Sequence, residues 1–134
     1  MTIHSKAYIF RQQQLLVDHD FQLPLVEKIH DDLNLSENGE VIARDLQEDE
    51  LVPEGYQLVA IRQLVQVWSR PQFEEASRAV QLLGWRRNHC YCSHCGHPAE
   101  QHATQYSMVC PSCGYSQYPR INPCVITIVT RGKD

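Results

Sequence analysis

Six cysteines lie between positions 90 and 124, and residues 1–89 contain none. Four of them form two pairs, Cys92-Ser93-His94-Cys95 and Cys110-Pro111-Ser112-Cys113, each followed by a glycine, with fourteen residues between the pairs. A CxxC unit bends into a tight turn whose two sulfurs converge. Two such turns brought together by a hairpin supply the tetrahedral four-thiolate shell that zinc prefers. Glycine after the second cysteine tolerates the left-handed backbone that turns N–H groups towards sulfur. The pattern predicts a structural zinc site made of Cys92, Cys95, Cys110 and Cys113. A secreted disulfide scaffold would spread its cysteines over the whole fold, and redox CxxC units usually occur singly at a helix start. A closed four-cysteine shell supplies folding energy rather than chemistry.

Cys90 in place of Cys92 would give a CxxxxC spacing that does not match the second knuckle, so it reads as a spare thiol beside the site. Cys124 opens the apolar run Cys124–Val129 and reads as a buried strand residue. His89, His94, His97 and His102 have the chemistry to ligate zinc, but four cysteines already complete the shell. They are expected at the surface or just outside the sulfurs.

The elements that position these residues follow from patterning. Residues 7–17 read as two strands around the polar turn starting at Arg11. Leu25 to Leu35 mixes apolar and acidic positions and reads as a short helix. The acidic run Asp45 to Glu54 is expected to be a solvated loop. Gln57–Ile61 suggests a strand, and Arg62–Trp68 a short helix. A longer helix follows, with Ser69 as cap, Gln72 completing a capping box and Trp68 with Phe73 as a hydrophobic staple. Phe73, Ala76, Val80 and Leu83 mark its buried face. After the second knuckle, Val125 to Val129 alternates as a strand and Arg131-Gly132-Lys133-Asp134 reads as a turn. A turn with no returning strand suggests a fragment of something longer.

Composition narrows the class. The chain has 134 residues, 43% of them apolar, and a net charge of -4. No apolar run approaches the roughly 20 residues needed to cross a bilayer, and the start lacks a secretory pattern, so a cytoplasmic location is expected. Lys and Arg against Asp and Glu count 7 to 14 in residues 1–85 and 5 to 2 in 86–134, a split that fits two modules. The basic excess is too small to establish nucleic-acid binding by itself. Nothing in residues 1–89 assembles a nucleophile, a base and an orienting group, so no catalytic residue is assigned.

Taken in order, Ala79, Leu82, Leu83, Trp85 and His89, the two CxxCG units, and Tyr118-Pro119-Arg120-Ile121-Asn122-Pro123 with Cys124, Val125 and Ile126 resemble the zinc-ribbon segment of the NADH pyrophosphatases, a branch of the Nudix hydrolases. The region before the helix, with Phe21–Pro24 and Ile61-Arg62-Gln63, is more loosely similar. The resemblance implies an α+β chain: a small N-terminal α/β domain over 1–87, a four-cysteine zinc ribbon over 88–120, and the first strand of a truncated Nudix domain over 121–134. It implies a parent enzyme that cleaves NADH or NAD to a nicotinamide mononucleotide and AMP, in a family some of whose members also remove the NAD cap from RNA. It also implies a homodimer. Tyr118 would stack on a substrate base, or else pack the ribbon onto the next domain. Arg62 would pair with substrate phosphate, or else form a surface ion pair. Gln105 and Asp20 depart from residues that some members use at the substrate. The Nudix box is absent, so the carboxylates that hold catalytic magnesium or manganese are expected only in a missing domain, and this chain alone is expected to be inactive. A freestanding zinc-ribbon module binding RNA or a protein is the alternative.

Overall fold

The computed structural model describes residues 4–120 and 122–133. Ile121 and Asp134, which belong to the motif and the terminal turn above, lie outside the described residues. The chain forms two compact units, one ending at Asn88 and the other starting at His89. Together they make an α+β protein, as the sequence implied.

The first unit is built on a mixed sheet. Strand β1 (His4–Arg11) turns into β2 (Gln14–Asp18), and β3 (Leu25–Glu27), β4 (Leu33–Asn34), β5 (Val41–Asp45) and β6 (Tyr56–Ala60) follow. The order across the sheet is β4-β5-β1-β2-β6, with β3 pairing the first half of β1. β1 runs parallel to β5 and antiparallel to β2 and β3. Side chains alternate between the faces of a strand, and β1 buries both sets. Ala7 and Ile9 join Leu16 and Ile42 in a cluster edged by Val26, Leu46, Val52, Tyr56 and Leu58. Tyr8 and Phe10, also buried, point the other way, and the Tyr8 hydroxyl reaches Glu75 of the long helix at 2.6 Å. Burial of Ile9, Phe10, Leu16 and Ile42 contributes about 1.5–3 kcal/mol each over exposure.

A short 3-10 helix (Ile61–Gln66) buries only Leu64 and leads into α1 (Arg70–Asn88). The predicted cap is present: the Gln72 N–H donates to Ser69 Oγ at 3.4 Å. Ala76, Ala79, Val80, Leu82, Leu83 and Trp85 are the buried face of α1, while Phe73 is only half-buried. Arg86 and Arg87 at the end of α1 donate to the Asp31 carbonyl and to Asp45 Oδ1, both at 2.7 Å.

Two expectations are corrected. Leu25 to Leu35 forms strands, not a helix, because β1 recruits it: Leu25, Val26 and Glu27 pair with Lys6, Ser5 and His4. The next residues turn at Asp32, whose carboxylate accepts the Ile29 N–H at 2.8 Å and the Arg44 guanidinium at 2.7 and 2.8 Å. Long-range pairing overrides weak local preference there. Val125 to Val129 is no strand either. No described strand pairs with it, and Val125, Ile126, Ile128 and Val129 are 84–95% exposed. An extended segment whose backbone groups lack a ladder partner gains nothing from alternation alone. Cys124, expected to be buried, is exposed for the same reason.

The second unit contains a three-stranded antiparallel sheet, β7 (Glu100–Gln101), β8 (Met108–Val109) and β9 (Ser116–Gln117), in sequence order. Among its described residues few are buried: Cys92, Cys110, Met108, Ser107 and Gln117. So small a core cannot hold a fold by burial alone.

Candidate metal centre

Each knuckle is a turn closed by its own backbone. In the first, Cys92 N–H donates to the His97 carbonyl at 2.7 Å and Gly96 N–H to the Cys92 carbonyl at 2.9 Å. In the second, Cys110 N–H donates to the Tyr115 carbonyl and Gly114 N–H to the Cys110 carbonyl, both at 2.9 Å. The two turns are the same structure repeated, with Gly96 at φ +82° and Gly114 at φ +79°. A side chain at either glycine would be strained by the left-handed backbone. The paired spacing visible in the sequence is therefore a spatial repeat.

β8 leads directly into the second turn, and the isolated bridge between Tyr91 and Pro98 closes the first. The Gln117 amide ties the two halves by donating to the Tyr91 carbonyl at 3.2 Å. The result brings all four predicted sulfurs within 4.8 Å of one another. Two contacts cross between the knuckles, Cys92 to Cys113 at 3.6 Å and Cys95 to Cys110 at 3.4 Å. A tetrahedral shell with Zn–S of about 2.3 Å has edges of about 3.8 Å. The cage fits a zinc ion, and no other group of three or more metal-binding side chains occurs among the described residues.

Backbone dipoles prepare the cage for thiolates. His94 N–H lies 3.3 Å from Cys92 Sγ, and Cys113 N–H 3.4 Å from Cys110 Sγ. Burial raises the Cys92 thiol, but the N–H groups of Cys95 and His94, with the thiols of Cys113 and Cys95, outweigh it and lower it to about 6. For Cys95 the His97 N–H pulls down, yet hydrogen bonding to Cys110, burial and the neighbouring thiols push it up to about 12. Cys110 is lowered, chiefly by the Cys113 N–H. Cys113 is raised: the Tyr115 N–H opposes this, and burial and Cys92 prevail. Adjacent thiols cannot all ionise without a cation among them, and zinc is the charge that allows it.

The surrounding residues sort as follows. Cys90 is exposed and outside the cage. The His97 ring reaches Cys95 Sγ with Nδ1 at 3.3 Å. His94 stacks on Tyr115 with ring centroids 6.0 Å apart. His102 is occupied by its own turn, since its Nδ1 faces the N–H groups of Thr104 and Gln105 at 3.1 and 3.2 Å. None of these histidines belongs to the four-sulfur group. Tyr118 is 57% exposed and lines an open polar hollow with His89, Ser93, Tyr115 and Arg120. Arg62 is exposed on the 3-10 helix of the first unit. The His97–sulfur contact was missed as a specific interaction; its signal is a histidine two residues after a ligand, in the place that Tyr115 takes in the second knuckle.

Comparison with known proteins agrees with the cage. Residues 87–118 match the family described as the NADH pyrophosphatase zinc ribbon domain. Similar proteins include the NAD-capped RNA hydrolase NudC of Deinococcus radiodurans, 40% identical over 80 residues, which are 60% of this chain and 29% of that protein. The NAD-capped RNA hydrolase NudC of Yersinia enterocolitica is 40% identical over 75 residues (56% and 28%), and that of Yersinia pestis 36% over 85 (63% and 32%). The chain spans less than a third of the length of these relatives. Its zinc-ribbon region, with a four-cysteine cage fit for structural zinc, is similar to the zinc ribbon of the NADH pyrophosphatase family.

Proposed function

We propose that this chain is the N-terminal and zinc-ribbon part of a Nudix NAD(H) pyrophosphatase, an enzyme that also removes NAD caps from RNA. The observation that carries the reading is the joint one of a four-sulfur cage inside a segment that matches the NADH pyrophosphatase zinc ribbon. On this reading zinc is a structural joint, the chain supplies dimer surface and substrate-side contacts, and hydrolysis belongs to carboxylates outside it. Tyr118, on the rim of its polar hollow, offers a ring face to a substrate base. Arg62, exposed near the start of the 3-10 helix, offers a guanidinium to phosphate.

The test is a fusion of this chain to the catalytic remainder of the Deinococcus radiodurans relative. It is expected to carry one zinc and to cleave NADH and NAD-capped RNA with manganese, while the chain alone cleaves neither. Turnover by the chain alone, or a zinc-loaded fusion without turnover, would sink the reading. Tyr118→Ala in the fusion should raise KM several-fold with zinc content unchanged.

The exposed rings of Tyr91, Tyr115 and Tyr118, with Arg120 beside the last two, favour a second reading, a ribbon that binds RNA by itself. Polarisation of a labelled single-stranded oligonucleotide separates the two. Micromolar, salt-sensitive binding by the chain alone would support a binding module.

A further inference from the structure

The cage is asymmetric in its access and in its partners. Cys92 and Cys110 are buried at 4% and 1% exposure, whereas Cys95 and Cys113 are exposed. The sulfur of each exposed cysteine lies against that of a buried cysteine in the opposite knuckle, Cys113 at 3.6 Å from Cys92 and Cys95 at 3.4 Å from Cys110. A nucleophilic sulfur on an exposed residue, with a second sulfur in contact, is the arrangement of a thiol that oxidises and is then resolved.

The two exposed sulfurs also differ. Cys95 has the His97 ring nitrogen at 3.3 Å, and with the proton on Nδ1 that ring donates to sulfur and draws electron density from it. In the second knuckle the equivalent position is Tyr115, whose ring instead stacks on His94. Cys113 is therefore the less shielded of the two.

We propose that the ribbon is an oxidation site for hydrogen peroxide, with Cys113 the sulfur oxidised first and Cys92 the resolving sulfur. Cys113, held as a thiolate only once zinc balances the charge of the cage, attacks one peroxide oxygen, the O–O bond breaks, and the departing hydroxide takes a proton to become water. Cys113 is left as a sulfenic acid. The Cys92 thiolate then attacks the Cys113 sulfur, an S–S bond forms, the S–O bond breaks, and the second hydroxide leaves as water. Two electrons pass from the sulfur pair to one peroxide, and two of the four donors are withdrawn from the metal. A dithiol reductant reverses the bond. The inference rests on the zinc reading and adds a modification that a closed structural site does not require.

The experiment uses the zinc-loaded 134-residue chain and hydrogen peroxide. Zinc release is followed with a chromogenic chelator, and cysteine pairing by differential alkylation and peptide mass spectrometry. Cys90 and Cys124, exposed and outside the cage, serve as internal comparators. Loss of the one bound zinc per chain is expected to coincide with a Cys92–Cys113 disulfide, both reversed by dithiothreitol with added zinc. In His97→Gln, which removes no sulfur ligand, a Cys95–Cys110 bond should appear alongside the first. Zinc that stays bound while Cys90 or Cys124 is oxidised would overturn the inference and leave the zinc reading intact. So would release with a first disulfide inside one knuckle or to Cys90. A chain that takes up no zinc would overturn both.

Discussion

A single residue's surroundings decide what it does here, and cysteine gives the clearest case. Six cysteines share one stretch of chain, yet only four meet, because only those four sit on the two matched turns. In the metal-free cage Cys92 is lowered to about 6 while Cys95 is pushed up to about 12. The four interacting thiols do not all ionise near neutral pH, so zinc binding must expel protons, and apparent affinity falls as pH falls. For Cys92, with its value below that of an ordinary thiol, the favourable contribution exists above the ordinary range and is lost as pH drops through about 6. Chelator competition is therefore expected to show a zinc affinity whose decline steepens by one further proton below about pH 6. An affinity flat between pH 5 and 8 would contradict it. A second case is Asp32, whose carboxylate has no exposed surface and pairs with a guanidinium only 23% exposed. The Asp32 contact also raises the Arg44 pKa, mainly through its hydrogen bonds. Removing one partner strands the other charge. Asp32→Ala should cost about 3 kcal/mol in urea denaturation, against under half that for Glu74→Ala, whose ion pair with Arg70 is exposed.

Elements were legible from sequence where local chemistry and long-range pairing agree. The β1–β2 hairpin, β6, the Ser69 cap and α1 each carry their own signal, and each formed. The two knuckles were the most legible of all, because metal ligation ties residue type and spacing to geometry. The segment from Leu25 to Leu35 failed as a helix because its partner, the first half of β1, lies some twenty residues away and leaves no mark on local composition. Val125 to Val129 failed in the opposite sense: alternation was right for a strand, but a strand is a property of a pair. The hairpin holds a detail that no pattern announces. Gln12 sits at φ +56° in the two-residue turn between Arg11 and Gln14, where a Cβ is costly. Gln12→Gly should therefore stabilise the first unit by up to about 1 kcal/mol, the relief being partly offset by glycine's greater freedom when unfolded. A rise in the urea midpoint at unchanged slope checks it; a fall would mean that the glutamine side chain contributes more than its backbone strain removes.

At the scale of the whole chain, two units with different kinds of stability are joined at the end of one helix. The first has a continuous apolar core around β1 and the buried face of α1. The second buries so little that its order depends on the sulfur cage. Two-state behaviour is therefore not expected of the chain as a whole. Stripping zinc with a strong chelator, or Cys110→Ser, should unfold the residues from His89 onward while the sheet and α1 persist. Because α1 carries nearly all the helix, far-ultraviolet dichroism should change little. The amide signals of Gly96 and Gly114 should collapse to the unfolded range, and protease sites should open in the ribbon first. With zinc restored the ribbon should refold at constant helix signal. Loss of the helix signal together with zinc would show instead that the metal supports the first unit as well. A ribbon that kept its dispersed amide signals without zinc would mean that its few buried side chains are enough. The expected separation fits a joint better than a catalyst: the metal governs one segment's shape and leaves the core beside it to stand on burial alone.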